Sequence, residues 1–373
     1  MLNLIESYFK EKVYNKENEN LFLHLDSLLK FYKLNKEETK TIHYNIARFF
    51  TKCSELMNDL YSNFFEKQLS YCQESMKIYE IIHEHQFYHH DLARIYNIIG
   101  KAYETNGDHE TDLKYSLKSL DIHEKIYEYH SFNLAVIYNN VSIAYMNNGN
   151  HKKQLECSLK SLKINELLND CFPNNYYLFA LSLGNVASAY GCIGDYKKEL
   201  EYSLKSLEIS KIIYKDQFNS PELREAYNKV AFAYTNNGQY KQGLEYSLKL
   251  LEINEITFKD QPDHPYLSIA YNNLASAYIE NGNHEKQLEY SLKSLEIREK
   301  IYKNHPNHPY LAQCYNNVSI SYANNRDYKQ FLDYSLMAFD IYKKIYKNQP
   351  NHSDLVNASN RIKMAYTHIN TQS

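Results

Sequence analysis

Apolar residues recur along this chain with the period of a helix, and the helices come in two alternating kinds. In the segment from Tyr271 to Gly282, the large or apolar positions are Tyr271, Leu274, Ala275 and Tyr278. That spacing of i, i+3, i+4 and i+7 is one face of an α-helix. The same face returns as Tyr96/Ile99/Gly100/Tyr103, Tyr138/Val141/Ser142/Tyr145, Leu183/Val186/Ala187/Tyr190, Tyr227/Val230/Ala231/Tyr234 and Tyr315/Val318/Ser319/Tyr322. Four residues past the second tyrosine stands Gly107, Gly149, Gly194, Gly238 or Gly282, which predicts a sharp helix stop; Arg326 is the exception. The helix that follows has two apolar stripes, Leu288/Leu292/Leu295 and Tyr290/Ile297/Ile301, separated by Glu289, Lys293 and Glu296. A helix with two such stripes packs on two sides, against its own partner and against the next pair.

The second helix also carries a phrase, Leu-Glu-Tyr-Ser-Leu-Lys-Ser-Leu-Glu-Ile, complete from Leu200 and Leu288 and recognisable from Leu69, Leu113, Leu155, Leu244 and Leu332. Its third residue falls at 71, 115, 157, 202, 246, 290 and 334, in steps of 44, 42, 45, 44, 44 and 44. All seven prolines fall between one second helix and the next first helix, where a helix must end. Tyr271-x2-Leu274-Ala275-x2-Tyr278 resembles the tetratricopeptide repeat pattern, and Tyr96-x2-Ile99-Gly100-x2-Tyr103 matches it with the glycine intact. The step length and the phrases Asp263-His-Pro-Tyr-Leu and Asn307-His-Pro-Tyr-Leu are similar to the longer kinesin light chain type of that repeat, over about residues 64 to 369. No sustained heptad precedes the repeats, which speaks against a kinesin light chain itself. The resemblance implies an all-α fold: a right-handed superhelical solenoid of antiparallel helix pairs, about 44 residues per repeat.

The chain departs from the family where two helices of a pair meet. The small residue expected early in the second helix becomes Asp112, Gln154, Glu199, Gly243, Gln287 or Phe331. The contact is therefore expected one turn later, at Ser116, Ser158, Ser203, Ser247, Ser291 and Ser335. Residues 1–63 are less regular and read as an N-terminal helical cap or degenerate repeat, with a separate module as the alternative. Residues 64–373 read as the tandem array, closed by a lone helix bearing Leu355, Ala358, Ile362, Ala365 and Tyr366.

Composition excludes several classes of function. Lys plus Arg number 42 and Asp plus Glu 45, so no strong field favours nucleic acid or an anionic membrane surface. Apolar residues at 43% and aromatic residues at 14% allow a large core and exclude a disordered chain. The six cysteines have no CxxC pair or regular spacing, and no apolar run is long enough to span a bilayer. A cytoplasmic location with reduced thiols is expected, and the Asn-x-Ser sequons at Asn140, Asn317 and Asn357 read as accidents of helical sequence.

No P-loop, GxGxxG, GxSxG, HExxH or kinase signature is present, so no enzymatic activity and no cofactor are expected. The cluster His83, His85, His89 and His90 lacks a Cys or carboxylate frame, and no metal role is expected for it. The resemblance gives more: in the family, the first helices line a concave groove. The two positions after the first tyrosine, or after Leu183 in the copy that lacks it, hold Asn97, Asn139, Asn140, Asn185, Asn228, Asn272, Asn273, Asn316 and Asn317. A carboxamide donates and accepts, so a column of them can grip the backbone of an extended peptide, with Val136, Ile143, Met146, Phe232, Ile269, Ile279 and Ile320 supplying selectivity. The competing reading is that these asparagines bridge adjacent helices. The expected function is a protein–protein interaction scaffold holding an extended segment of a protein or peptide partner. The alternative is a regulatory peptide receptor whose N-terminal region relays the signal.

Overall fold

The computed structural model describes residues 44, 46–48, 50, 51, 54, 65–82, 89–127, 131–171, 176–215, 217, 219–347 and 352–372. These residues are helical or in short turns, and no strand occurs among them. The helices are α1 (Phe65–Ile82), α2 (His90–Thr105), α3 (His109–Ile126), α4 (Phe132–Asn147), α5 (His151–Cys171), α6 (Tyr176–Cys192) and α7 (Tyr196–Ile213). They continue as α8 (Pro221–Asn236), α9 (Tyr240–Thr257), α10 (Pro265–Glu280), α11 (His284–Ile301), α12 (Pro309–Asn324), α13 (Tyr328–Ile345) and α14 (Ser353–Gln372). The chain forms two compact units, residues 1–185 and 186–373, divided inside α6.

In the first unit α2 pairs with α3 and α4 with α5, while α3 also packs on α4 and α1 on α2. Ala93, Ile95, Ile98 and Ile99 form one core with Cys72, Ile78 and Tyr79, and Leu134, Ala135, Ile137 and Val141 form the next with Cys157, Ile164 and Leu168. The described part of 44–54 is helical and joins the first core: Phe50 stacks on Tyr71 at 5.5 Å, and Ser75 and Gln68 donate to the Ala47 and Ser54 carbonyls. The rest of the expected N-terminal cap lies outside the described residues. In the second unit each helix from α7 to α14 packs on the next, around cores centred on Leu207, Val230, Leu274 and Val318.

The glycine stops work as the sequence implies. Gly107 has φ of +82°, and the Asp108 N–H reaches back to the Tyr103 carbonyl at 2.9 Å, closing the helix end in a Schellman turn. Arg326 adopts the same left-handed conformation at φ +63°, which costs an L-residue about 1 kcal/mol. The next helix is capped at once: Asp108, Asp195, Asn283 and Asp327 each accept the backbone N–H three residues on.

Where the two helices of a pair meet, small residues let the backbones approach. Ser142 and Ser158 hydroxyls lie 2.6 Å apart, and a Cβ placed on Gly100 would meet Ser116 Oγ at 2.9 Å and Asp112 Oδ1 at 3.0 Å. Ser116 and Ser158 carry the contact in their pairs, while Ser247 and Ser335 bond to their own helices and Ser291 reaches Ser321 of the next repeat. The larger residues one turn earlier do not leave it, however, because Asp112, Gln154, Glu199, Gln287 and Phe331 are all buried. A further serine fixes the pair at its other end: Ser119, Ser161 and Ser294 donate to the Ala93, Ala135 and Ser268 carbonyls at 2.8, 2.8 and 2.9 Å.

Candidate functional site

The first helices of neighbouring repeats lie side by side within each unit, and their asparagines meet. Asn140 Nδ2 donates to Asn97 Oδ1 at 2.8 Å in the first unit. In the second, Asn273 donates to Asn228 at 3.1 Å and Asn317 to Asn272 at 2.6 Å. In these three pairs the second asparagine of one repeat donates to the first asparagine of the repeat before. Each bond uses one of two N–H donors on one amide and one lone pair on the other, so both amides keep capacity. These six side chains are half-buried.

The remaining three behave differently. Asn139 is only 3% exposed, and neither its Oδ1 nor its Nδ2 has a partner; Asn185 Nδ2 and Asn316 Oδ1 are also buried without one. Of the seven apolar residues expected to supply selectivity, Phe232 and Ile269 are exposed and Val136, Ile143, Met146, Ile279 and Ile320 are half-buried.

Two further asparagine columns were not singled out by the sequence pattern. At the last turn of the first helix, Asn147 donates to Glu104 at 3.3 Å, Asn236 to Glu199 at 3.0 Å and Asn324 to Gln287 at 2.9 Å. One residue later, Asn148, Asn281 and Asn325 donate to the His109, Tyr240 and His284 carbonyls at 2.7, 3.0 and 2.8 Å. Both columns tie one repeat to the repeat before: Asn147 reaches its first helix, and the other five reach its second. Their signal was the recurring Asn-Asn-Gly at 147–149, 236–238 and 280s' Asn281-Gly282. Burial raises the carboxyl values of two acids near these columns, Asp112 and Glu199. Desolvation pushes the Asp112 carboxyl up to about 6, with Glu104 adding to the effect and the Ser116 hydrogen bond opposing it. Desolvation also raises Glu199, against the hydrogen bond from Asn236.

The loop histidines cap helices. His264, His308 and His352 each accept the backbone N–H two residues on through Nδ1, at 3.3, 3.3 and 3.4 Å. Each ring also stacks on the aromatic residue ending the preceding helix: Phe258 at 3.7 Å, Tyr302 at 3.8 Å and Tyr346 at 3.5 Å. An Nδ1 that accepts must be unprotonated, and burial, seconded by Arg224 and Arg298 respectively, holds His264 and His308 below the usual imidazole value. His89 caps α2 in the same way, with Asp91 Oδ2 3.3 Å from its Nδ1, and His90 Nδ1 lies 2.9 Å from the Tyr127 hydroxyl. His83 and His85 lie outside the described residues. Among the described residues, no group of three or more His, Cys, Asp or Glu is arranged to hold a metal, and no helix is long and apolar enough to cross a membrane.

Beside the asparagine pairs of the second unit are two clefts. One, of about 240 Å³, runs from Pro221 and Asn228 on α8 to Tyr266, Ile269 and Asn273 on α10. The other, of about 460 Å³, runs from Pro265 and Asn272 on α10 to Tyr310, Gln313 and Asn317 on α12. They are copies of one cleft, one repeat apart.

A tetratricopeptide repeat family model matches residues 222–300 and 266–344, and a second model of the same repeat matches 135–166. No curated protein matches the chain by sequence. Among solved structures, BtubC (BKLC) from P. vanneervenii is similar at 17% identity over 65% of this chain and 94% of its own, with a TM-score of 0.54. A signal transduction ATPase with numerous domains and a tetratricopeptide repeat sensor, from Pyrococcus horikoshii, is similar at 18% identity over 94% of this chain and 56% of its own, also at 0.54. A Podosopora anserina protein of kinesin light chain type, with nearly identical TPR-like repeats, is 19% identical over 56% of this chain and 96% of its own, with a TM-score of 0.49.

Proposed function

Because the 44-residue units of this chain are tetratricopeptide repeats, a fold of protein–protein interaction scaffolds, we propose that the first-helix face binds an extended segment of a protein partner and performs no chemistry. The observation that carries the reading is the pairing of Asn228 with Asn273 and of Asn272 with Asn317. Bridging and gripping were alternatives in the sequence; the amide bookkeeping makes them compatible. A bond to the neighbouring helix fixes the carboxamide plane. The Nδ2 donors of Asn228 and Asn272 are then left to a partner's backbone carbonyl, and Oδ1 of Asn273 and Asn317 to its N–H, with little rotamer entropy to lose. Neighbouring helices are roughly 8–10 Å apart and an extended chain advances about 3.3 Å per residue, so each repeat meets every third residue.

The test uses the partner captured from the native source, its bound segment located by chemical crosslinking. Replacing Asn228, Asn272 and Asn316 by Ala is expected to weaken binding by about tenfold or more, from the loss of up to three hydrogen bonds of roughly 1 kcal/mol each. Crosslinks confined to the second helices, or a lowered denaturation midpoint with unchanged affinity, would remove the first-helix face as the working surface.

A further inference from the structure

Each cleft of the second unit contains a buried arginine without a counterion, supplied from opposite sides. In the first, Arg224 on α8 donates through Nη1 to Asn254 Oδ1 on α9 at 3.0 Å. In the second, the residues 44 positions later are Ser268 and Arg298: the guanidinium now comes from α11, and its Nε donates to Ser268 Oγ on α10 at 2.8 Å. The arginine has moved from the first of these positions to the second, and each time the guanidinium lines the cleft. In both cases it lies over the tyrosine at the start of the next first helix, Tyr266 at 5.1 Å and Tyr310 at 5.3 Å, and both tyrosines are about half exposed.

Arg224 and Arg298 are 9% and 8% exposed, and neither forms an ion pair among the described residues. The one acid lining the first cleft, Glu225, is engaged with Lys229 at 2.9 Å. Arg224 Nε has no hydrogen-bond partner at all. A guanidinium cannot shed its proton to escape burial, and charged groups this deeply buried are ordinarily paired. Ring faces solvate one side of the cation, and its N–H groups meet only neutral partners, Asn254 for Arg224 and Ser268 and Tyr302 for Arg298, with no carboxylate among them. The equivalent positions in the first unit, Ala93 with His123 and Ala135 with Asn165, hold no guanidinium, so the feature is specific to these two clefts and is not part of the repeat.

We infer that the two clefts take two carboxylate side chains of an acidic, extended peptide, spaced three residues apart. The inference rests on the groove reading above and adds the chemistry of its ligand. A carboxylate entering either cleft gains a charge-assisted hydrogen bond from a guanidinium already held by a neighbour and an aromatic face. The separation of the clefts by one repeat sets the separation of the two acids. The two asparagine pairs that line the clefts, Asn228 with Asn273 and Asn272 with Asn317, sit where the backbone between those acids would pass.

The experiment measures fluorescence anisotropy of the full chain with labelled synthetic peptides in an extended Gly/Ser/Ala background. One carries two Glu three residues apart, a second two adjacent Glu, and a third Gln in place of both spaced Glu. The spaced-Glu peptide is expected to bind about tenfold tighter than the other two and to weaken with salt. Arg224→Gln and Arg298→Gln should each remove most of that advantage while leaving the denaturation midpoint unchanged or raised, because each removes a buried unpaired charge. Arg298→Lys, which keeps the charge, should retain part of the advantage. Equal binding of Glu and Gln peptides, no binding of the spaced-Glu peptide at millimolar concentration, or Gln variants that bind it as wild type would each overturn the inference. The groove reading is judged separately: loss of binding in the Asn228/Asn272/Asn316→Ala protein with no dependence on the arginines keeps the groove and removes the anion pair. The reverse pattern keeps the anion pair and removes the asparagine grip.

Discussion

Helices α4 and α10 carry the same phrase, Tyr-Asn-Asn, at 138–140 and 271–273, and turn it to different ends. In α10, Asn272 accepts from Asn317 and Asn273 donates to Asn228, so both amides are engaged. In α4, Asn140 donates to Asn97, but Asn139 is buried with no partner for either polar atom. The starts differ too. Ser131 precedes α4 without a side-chain cap bond, whereas His264 caps α10 and stacks on Phe258. Residues that pack the repeat are interchangeable between the two helices; residues that pair across repeats depend on what the neighbour offers. The fold is written in the first kind and the surface chemistry in the second.

The comparison is sharpened most strongly by the buried acid of the first unit. Its folded value, about 6, is raised above the ordinary carboxyl value of 3.8, so the stabilisation associated with the protonated form is complete below 3.8 and lost as pH rises through 6. Asp112→Asn should therefore raise stability at neutral pH by about 2 kcal/mol, and the gain should shrink to nothing on acidification, as read by denaturant midpoints across that range. A pH-independent effect would mean that Asp112 is not paying a burial cost.

Asn139→Leu and Asn272→Leu set the two helices directly against each other. The first removes two orphaned polar atoms and should stabilise by roughly 1 kcal/mol; the second cuts a bond and strands Asn317, and should destabilise by about as much. Changes of the same sign would show that the two asparagines share one environment after all.

The smallest effect is expected at the cap that α10 and α12 have and α4 lacks. His308→Ala should cost about 1 kcal/mol at neutral pH. The folded His308 value is lowered, so its contribution is complete above the ordinary imidazole value of 6.5 and lost as pH falls from there through the lower folded value. Wild type and variant should converge in thermal midpoint on mild acidification, and a constant difference would assign the cost to the ring stack alone.

What could be read in advance follows the same division. The pairs Tyr271/Leu274/Ala275/Tyr278 and Leu288/Leu292/Leu295 announce helices because burial imposes a period on the sequence. The glycine stops were legible because only a few residues tolerate a positive φ, and Arg326 shows the tolerance is not absolute. The paired arginines were not legible: Arg224 lies on a first helix and Arg298 on a second, and no period connects them until the helices are packed. The capping histidines were visible as His-Pro-Tyr at 264–266 and 308–310, yet a metal-binding search asks the wrong question of them. Their use is set by a backbone N–H and a ring that the sequence places elsewhere.

The asparagine joints have a consequence for how such a chain changes length. Asn273 reaches Asn228, and Asn317 reaches Asn272, each across 45 residues of sequence. Excising residues 229–272 would join Asn228 to Asn273, restore the phrase Tyr-Asn-Asn, and leave Asn317 facing Asn228 across the same interval. A recombination event that loses or gains one whole unit therefore meets joints it already fits, whereas a cut of any other length breaks them. Heredity can lengthen or shorten this molecule in units, and each unit added brings another cleft whose charge is free to vary.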